Sequence, residues 1–510
     1  MFLICLTVVS ILWFSSCSGS CPRRCSCDVP RLIQCYRIST IPTDIPANIR
    51  KMHISHSKVR QLKLSDFTVI PELQELVLFS SGTEVIENNT FKALNNLRML
   101  EVWKNKLTRI PSSLPPNLEV LKFGDNSIGF IHQYDFEGLK KLRELEIKNN
   151  NLYTLSFDIF SRLLTIQSLV LDGNGIDTIS GLARLPHLKY LSMENNKLQY
   201  FPENFFGYFQ SLQCLRLAGN QLVKIPAQIP KSLLYLRLEK NNIKSIKSRD
   251  VKNLENLSEL NLSENQISSA DGLQVLGNLS FIDVSKNKLI ALLHRLPAKL
   301  QRLDCSNNKI QKVTMQDFKG LHNLKHLFLD NNVVNQIEDD AFQWCPHLTN
   351  LAIEQNQLTS VPSSLPSTLS RLDLKGNRIE NIGENDLKHM TMLQVLNLRN
   401  NKIASLDHHV FEYLPRLRHI YLDGNPWNCT CNLLKVKKVL LEKGADIKGG
   451  QCAEPSFCRG EYWMMFETFQ FNCESSHTYD KGRNRKKTKA DDVSSVKIQL
   501  EDDDYDYDIE

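Results

Sequence analysis

Residues 118–130 read LEVLKFGDNSIGF. Leu118, Leu121, Phe123, Asn126 and Ile128 fall on the frame L-x-x-L-x-L-x-x-N-x-L, in which apolar residues two apart share one face of a strand. The same frame starts at Ile49, Leu73, Leu97, Leu118, Leu142, Ile166, Leu188, Leu212, Leu233, Leu257, Leu279, Leu300, Leu324, Leu348, Leu369, Leu393 and Leu417, seventeen copies in all. Fifteen keep the asparagine, and the first two carry Ser57 and Ser81 instead. A frame recurring every 21 to 24 residues is a leucine-rich repeat array, one unit stacked on itself until the apolar faces are buried. The expected fold is an α/β solenoid, a horseshoe with one parallel β-sheet on the concave face and disulfide-capped ends.

Strand alternation sends Leu121 and Phe123 inward and Lys122 outward. The frame's asparagine lies on the inward side, where an unpaired amide would cost a few kcal/mol, so it must bond backbone at the turns of its own and the neighbouring copy. Long copies place an apolar residue six before the next start, as at Phe91, Phe136, Phe160, Phe206, Val251, Phe318, Phe342, Leu387 and Phe411, and these should form a spine along the convex side. Short copies return through proline, as in IPSSLPPNL (110–118), IPAQIPKSL (225–233) and VPSSLPSTL (361–369). Proline favours extended backbone, so the convex layer should be thin and poor in long helices.

Seventeen strands about 4.8 Å apart give a sheet of roughly 75–80 Å, and extended concave faces are the surfaces solenoids use for binding. The outward column between the two inward strand residues sets Arg216 beside Arg237 and Asp283 beside Asp304, with Phe328 and Tyr421 further on. One reading is a solvated face. The other is a bipolar binding strip in which Phe328 and Tyr421 serve as apolar anchors.

The ends of the chain differ from the array. Residues 1–20 have the layout of a secretory signal peptide, an apolar run from Phe2 to Phe14 followed by small residues, although a basic start is missing. Twelve of the 14 cysteines lie beyond it. Four cluster in residues 21–48 and five between Cys429 and Cys473, which in an oxidising compartment reads as two disulfide caps, 21–48 and 425–473, around a solenoid at 49–424. Zinc fits the first cluster poorly, because Cys25 and Cys27 are too close for the usual ligand spacing and no histidine is near. Cys305 and Cys345 fall in apolar slots, leaving Cys214 and Cys458 as candidates for a free or intermolecular thiol. No phosphate loop, nucleophile elbow, metalloprotease or dinucleotide motif occurs. Adjacent His408 and His409 do not suggest a shared metal, so no enzyme, metal or cofactor is expected.

Sequons occur at Asn88, Asn256, Asn261, Asn278 and Asn428, and a glycan on outward-facing Asn261 would cover part of the concave face. Residues 474–510 lose the repeat and read as a disordered tail, basic in KGRNRKKTK (481–489) and then acidic in EDDDYDYDIE. The basic run could bind heparan sulfate, and Tyr505 and Tyr507 sit in the acidic setting that favours sulfation. The net charge of +6 does not decide between partners, and no later segment is apolar enough to span a membrane.

The N-terminal cysteine cluster, the IPTDIPANI that follows it, the repeat count and rhythm and the IPxxLP returns together resemble the small leucine-rich proteoglycans of extracellular matrix. The C-terminal segment resembles the cap of Slit-like and Nogo-receptor-like proteins more than the long ear repeat of decorin-type members. The resemblance implies pairing of Cys21 with Cys27, Cys25 with Cys35, Cys429 with Cys452 and Cys431 with Cys473. It also implies a secreted matrix protein that binds collagen or growth factors, notably of the transforming growth factor beta family, and tunes signalling. A ligand or co-receptor for a cell-surface receptor and a collagen-fibril organiser are the other readings. The Ser-Gly pairs at Ser81 and Ser180 lack an acidic flank, so no glycosaminoglycan chain is expected.

Overall fold

The computed structural model describes residues 21–466. Residues 1–20, read above as a signal peptide, Cys473, the basic run and Tyr505 and Tyr507 lie outside the described residues. Each of the seventeen copies supplies one strand of a single sheet, from Lys51–Ser55 to His419–Tyr421. Neighbouring strands are parallel and in register, so that Leu236 lies opposite Leu215 on one side and Leu260 on the other. Because the frame repeats with the same phase, every inward aliphatic residue meets another, with Met52, Ile282 and Ile420 standing in for leucine, and the column is almost completely buried.

The sheet is longer than the array. At the N-terminal end Leu32–Tyr36 pairs in parallel with Lys51–Ser55, and Cys25–Ser26 adds an antiparallel rung to it. At the other end Asp446–Lys448 lies parallel on His419–Tyr421. The result has twenty strands, or about 90 Å at the usual strand spacing. Both caps therefore continue the sheet, so that its edge strands are the short Cys25–Ser26 and Asp446–Lys448 of the caps and not strands of the repeats.

The frame's asparagines form a ladder. Asn265 is typical: its Nδ2 donates to Leu238 O of the preceding copy at 2.9 Å and to Leu262 O of its own at 3.0 Å. Its Oδ1 accepts from Ile243 N at 3.0 Å. In the first two copies, hydroxyls substitute. Ser57 Oγ donates to Ser55 O and accepts from Ile38 N, and Ser81 Oγ lies between Thr83 Oγ1 and Asn105 Oδ1. A second set of contacts sits at the residue before five of the starts, where Asn96, Asn117, Asn256, Asn278 and Asn323 each donate to a carbonyl one copy back.

The convex spine residues are all buried, with Phe136 against Phe160 and Phe318 against Phe342. Phe67, six before Leu73, continues the spine to the first copy and packs 5.8 Å from Phe91. Between copies the convex backbone forms short parallel ladders, such as Thr154–Ser156 with Thr178–Ser180. Within the repeats no helix exceeds five residues, so the α component of the fold is slight. The longest helix among the described residues, Cys431–Glu442, belongs to the C-terminal cap and buries Leu433, Leu434, Val436 and Leu440. Trp427, fully buried, closes the end of the core and donates from Nε1 to Leu422 O at 3.0 Å.

Disulfides join Cys21 to Cys27, Cys25 to Cys35 and Cys429 to Cys452. Cys431 is also disulfide-bonded. Cys305 and Cys345 are buried thiols whose acidity burial suppresses, that of Cys345 to a pKa of about 12. Cys458 is free but only 1 % exposed, wedged beside the Cys429–Cys452 bond. Of the two candidates for a free or intermolecular thiol, Cys458 is thus a free thiol packed in the cap, and Cys214 is a free, half-buried thiol on the concave face.

Candidate functional site: the concave face

Three residues of each copy line the concave face: the first and third of the strand, and the one two positions beyond the third. The column argued from sequence is the middle one. The outer columns supply what that reading lacked. Arg216 Nε and Nη2 donate to Glu194 at 2.7 and 3.2 Å, and Nη1 donates to Tyr190 Oη at 3.2 Å. Burial alone would lower the basicity of this guanidinium, but the bonds to Glu194 and Tyr190 outweigh it and the net shift is upward. Arg237 lies 3.9 Å from Glu239, a carboxyl that burial pushes up despite that arginine. The two arginines are thus met by acids from the third column.

The same holds nearer the N-terminus. Glu75 accepts both Lys51 and His53 at 2.7 Å, Lys122 pairs with Glu101 at 3.1 Å, and Lys148 contacts Glu146 at 2.8 Å while lying over the Trp103 ring. For Glu75 the partners prevail over the cost of burial and hold the carboxyl below its ordinary value.

Beyond Asn261 the balance changes. Asp283 and Asp304 oppose each other in register, and Asp330, Glu354 and Asp373 continue the run on the next three copies. Burial raises Asp304 above its ordinary pKa, and Asp283 adds to the effect. Asp330 is raised well above by burial, with Glu354, Asp373 and Asp304 contributing, although Glu354 N donates to it at 2.8 Å. Glu354 is raised by burial and then by Asp373. On the cationic side, Arg371 Nη2 stands 3.6 Å from Asp373. The Arg302 guanidinium lies between the Phe281 and Phe328 rings, 5.6 and 4.6 Å from their centroids. Its Nε and the Nδ1 of His326 are buried without a hydrogen-bond partner, and burial and Arg302 together lower the His326 pKa.

Two of the expected contacts change character. Phe328 is only 3 % exposed, so it is part of the packed face under Arg302 and is not presented as an anchor. Tyr421 is half-buried with Arg399 stacked 4.5 Å from its ring. Four sequon asparagines, Asn88, Asn256, Asn278 and Asn428, are exposed. Asn261 is half-buried, and its Oδ1 accepts from the amide and hydroxyl of its own sequon's Ser263. The hollow on the concave face between Arg237 and Phe281 holds about 10 Å³, at most one water. A groove of about 380 Å³ on the return side, at Asn335–Asp339 and Thr359–Ser363, is lined mainly by polar groups. Among the described residues no helix is long and apolar enough to cross a membrane.

The family model for a leucine-rich repeat region matches residues 148–439, and a leucine-rich repeat model matches 116–176. Nephrocan of Mus musculus is 52 % identical over 457 residues, 90 % of this chain and 89 % of nephrocan. The chain belongs to the small leucine-rich proteoglycan family. Podocan-like protein 1 of Mus musculus is a more distant member, 27 % identical over 76 % of either chain. Among solved structures, a chain of an octameric complex of Latrophilin 3, Unc5D and FLRT2, in which FLRT2 supplies leucine-rich repeats, is 29 % identical with a TM-score of 0.54, covering 57 % of this chain and 92 % of that one. This family membership and the array together make the protein an extracellular leucine-rich repeat protein.

Proposed function

We propose that the protein is a secreted matrix component that binds a growth factor, of the transforming growth factor beta family, and tunes its signalling by sequestering it. The observation that carries this reading is the run Asp283, Asp304, Asp330, Glu354 and Asp373, where half-buried and buried carboxylates crowd one another on an open face. An open face on which five acids crowd together beside Arg302 and Arg371 suits a folded macromolecular partner better than a small molecule, and its acidic run speeds encounter with a cationic one. No catalytic role is proposed.

Paired caps and exposed Asn88, Asn256, Asn278 and Asn428 fit secretion and N-glycosylation. Half-buried Asn261 is the least accessible of the five sequons. Heparan sulfate binding by residues 481–489 and sulfation of Tyr505 and Tyr507 would add a second contact. The likeness to a component of the Latrophilin 3, Unc5D and FLRT2 complex favours one alternative, a ligand or co-receptor for a cell-surface receptor. Collagen-fibril organisation is the other.

The deciding experiment measures binding of residues 21–510, and of a chain ending at Cys473, to an immobilised transforming growth factor beta dimer and to fibrillar collagen at low and high salt. Binding of the growth factor by both chains that persists in high salt supports the reading. Failure of both chains to bind it, or binding by the longer chain alone that salt abolishes, overturns it.

A further inference from the structure

His408 and His409, set aside from metal binding because they are adjacent, are brought together by the turn that holds them. Leu406 and Phe411 are buried in the convex layer and anchor the segment from both sides. His408 has helical backbone angles (φ −64°, ψ −29°), and the His409 backbone N–H donates to Asp407 Oδ1 at 3.1 Å. This closed turn places both imidazoles on one side. His408 Nδ1 lies 3.2 Å and His409 Nδ1 2.7 Å from that same Oδ1, with ring centroids 3.9 Å apart. The three donor atoms all fall within 4.8 Å of one another.

We propose that Asp407, His408 and His409 form a site for a divalent transition metal, with zinc the best-fitting ion. Two imidazole nitrogens and a carboxylate suit zinc and its neighbours in the series far better than calcium or magnesium, which take oxygen ligands. Donors about 2.0–2.1 Å from a tetrahedral zinc stand about 3.3 Å from each other, so the two nitrogen–carboxylate spacings need to change by no more than about 0.6 Å. Without a metal, one carboxylate oxygen faces both Nδ1 atoms and the His409 amide. A dication held by both nitrogen lone pairs and the carboxylate satisfies all three atoms at once. The Asp407 carboxylate is already oriented by the His409 amide, which is the kind of outer contact that preserves ligand geometry. Asp407 and His409 are more than half exposed, so the ion has an entry path and its remaining positions are filled by water. The segment runs into helix His409–Glu412, whose Glu412 carbonyl accepts from Lys443 Nζ of the C-terminal cap at 3.1 Å.

The test is calorimetric titration of Zn²⁺ into the full secreted chain, purified without a polyhistidine tag and stripped by chelator. The same titration is run on His409→Gln and on the double variant His408→Gln, His409→Gln. Both side chains are on the surface, and thermal melts in chelator verify that the variants fold. One equivalent of Zn²⁺ lost in the double variant and about tenfold or greater weakening in the single variant are expected. Unchanged stoichiometry and affinity in the double variant would overturn the proposal. So would displacement of the bound Zn²⁺ by Ca²⁺ at a comparable concentration.

Discussion

The concave face around Arg216 and Arg237 and the one from Asp283 to Asp373 are built by the same strand positions, yet their charges fare differently. In the first, Glu194 and Glu239 stand beside the arginines, and the like-charged pair is absorbed into ion pairs between and within copies. In the second, the third column brings Asp330 and Glu354, which add to the charge of Asp304 instead of cancelling it. The solenoid fixes the backbone, so the residue two positions past the strand decides whether a charged column is structural or available to a partner. Carboxylates held above their ordinary pKa on an ordered surface, as at Asp304, Asp330 and Glu354, are the better mark of a binding site.

The most severe way to break this contrast is to reverse the second region. Asp283→Lys with Asp304→Lys should weaken growth-factor binding by at least about 30-fold, the 2 kcal/mol or more expected when charges at an interface core are opposed. Surface plasmon resonance against the immobilised dimer measures it. Arg216→Glu with Arg237→Glu should change affinity far less, and equal losses from the two reversals would erase the distinction.

Phe328 sharpens the comparison at the next level. As a ring 3 % exposed beneath Arg302, it belongs to the fold. Phe328→Leu should lower stability by about 1–2 kcal/mol through lost packing and the lost cation–π contact, while affinity for the partner stays within about twofold of wild type. Urea denaturation and the binding assay together separate the two. A variant of normal stability with lost affinity would restore Phe328 as an anchor.

Glu194→Gln tests the paired region. Arg216 is 38 % exposed, so solvent recovers part of the loss, and a destabilisation of about 1 kcal/mol is expected. No effect on partner binding should accompany it. A melt of Glu194→Gln that matches wild type would mean that the Arg216 pair adds nothing to the fold.

Much of this was legible in the residues, and what was not has physical reasons. The frame starting at Leu118 announces its strand and turn because burial of Leu121 and Phe123 leaves few alternatives. Phe67 could have been found from its spacing to Leu73. The third column was passed over because Glu194 and Glu239 lie just past the strand, where alternation no longer tells inward from outward. The partners of Arg216 come from the copy before, 22 residues back in Glu194, a separation that a repeat frame supplies only when the columns are written side by side. That Cys458 is a free thiol was among the options legible in the sequence, but its burial was not, because that depends on packing beside the Cys429–Cys452 bond, which does not follow the repeat period.

The smallest effect is the most diagnostic of crowding. Asp304, Asp330 and Glu354 all have folded-state pKa values raised above those of the unfolded chain, so the folded protein takes up protons where the unfolded chain has lost them. These groups therefore cost stability near neutral pH, and the cost is relieved as pH falls through the raised values, until at the ordinary carboxylate range both states are protonated. Asp330→Asn keeps the shape and removes one charge and its desolvation, so it should raise the melting temperature at pH 7.5 by a few degrees at most, an effect of about 1 kcal/mol or less. The gain should shrink steadily toward pH 5. Partner binding should follow the opposite course, weakening over the same interval as the negative run is neutralised. Melting curves and binding isotherms of wild type and Asp330→Asn at half-unit steps from pH 7.5 to 4.5 measure both. If the variant gains nothing at pH 7.5, Asp330 is not crowded in solution, and the two halves of the face would differ in sequence without differing in energy.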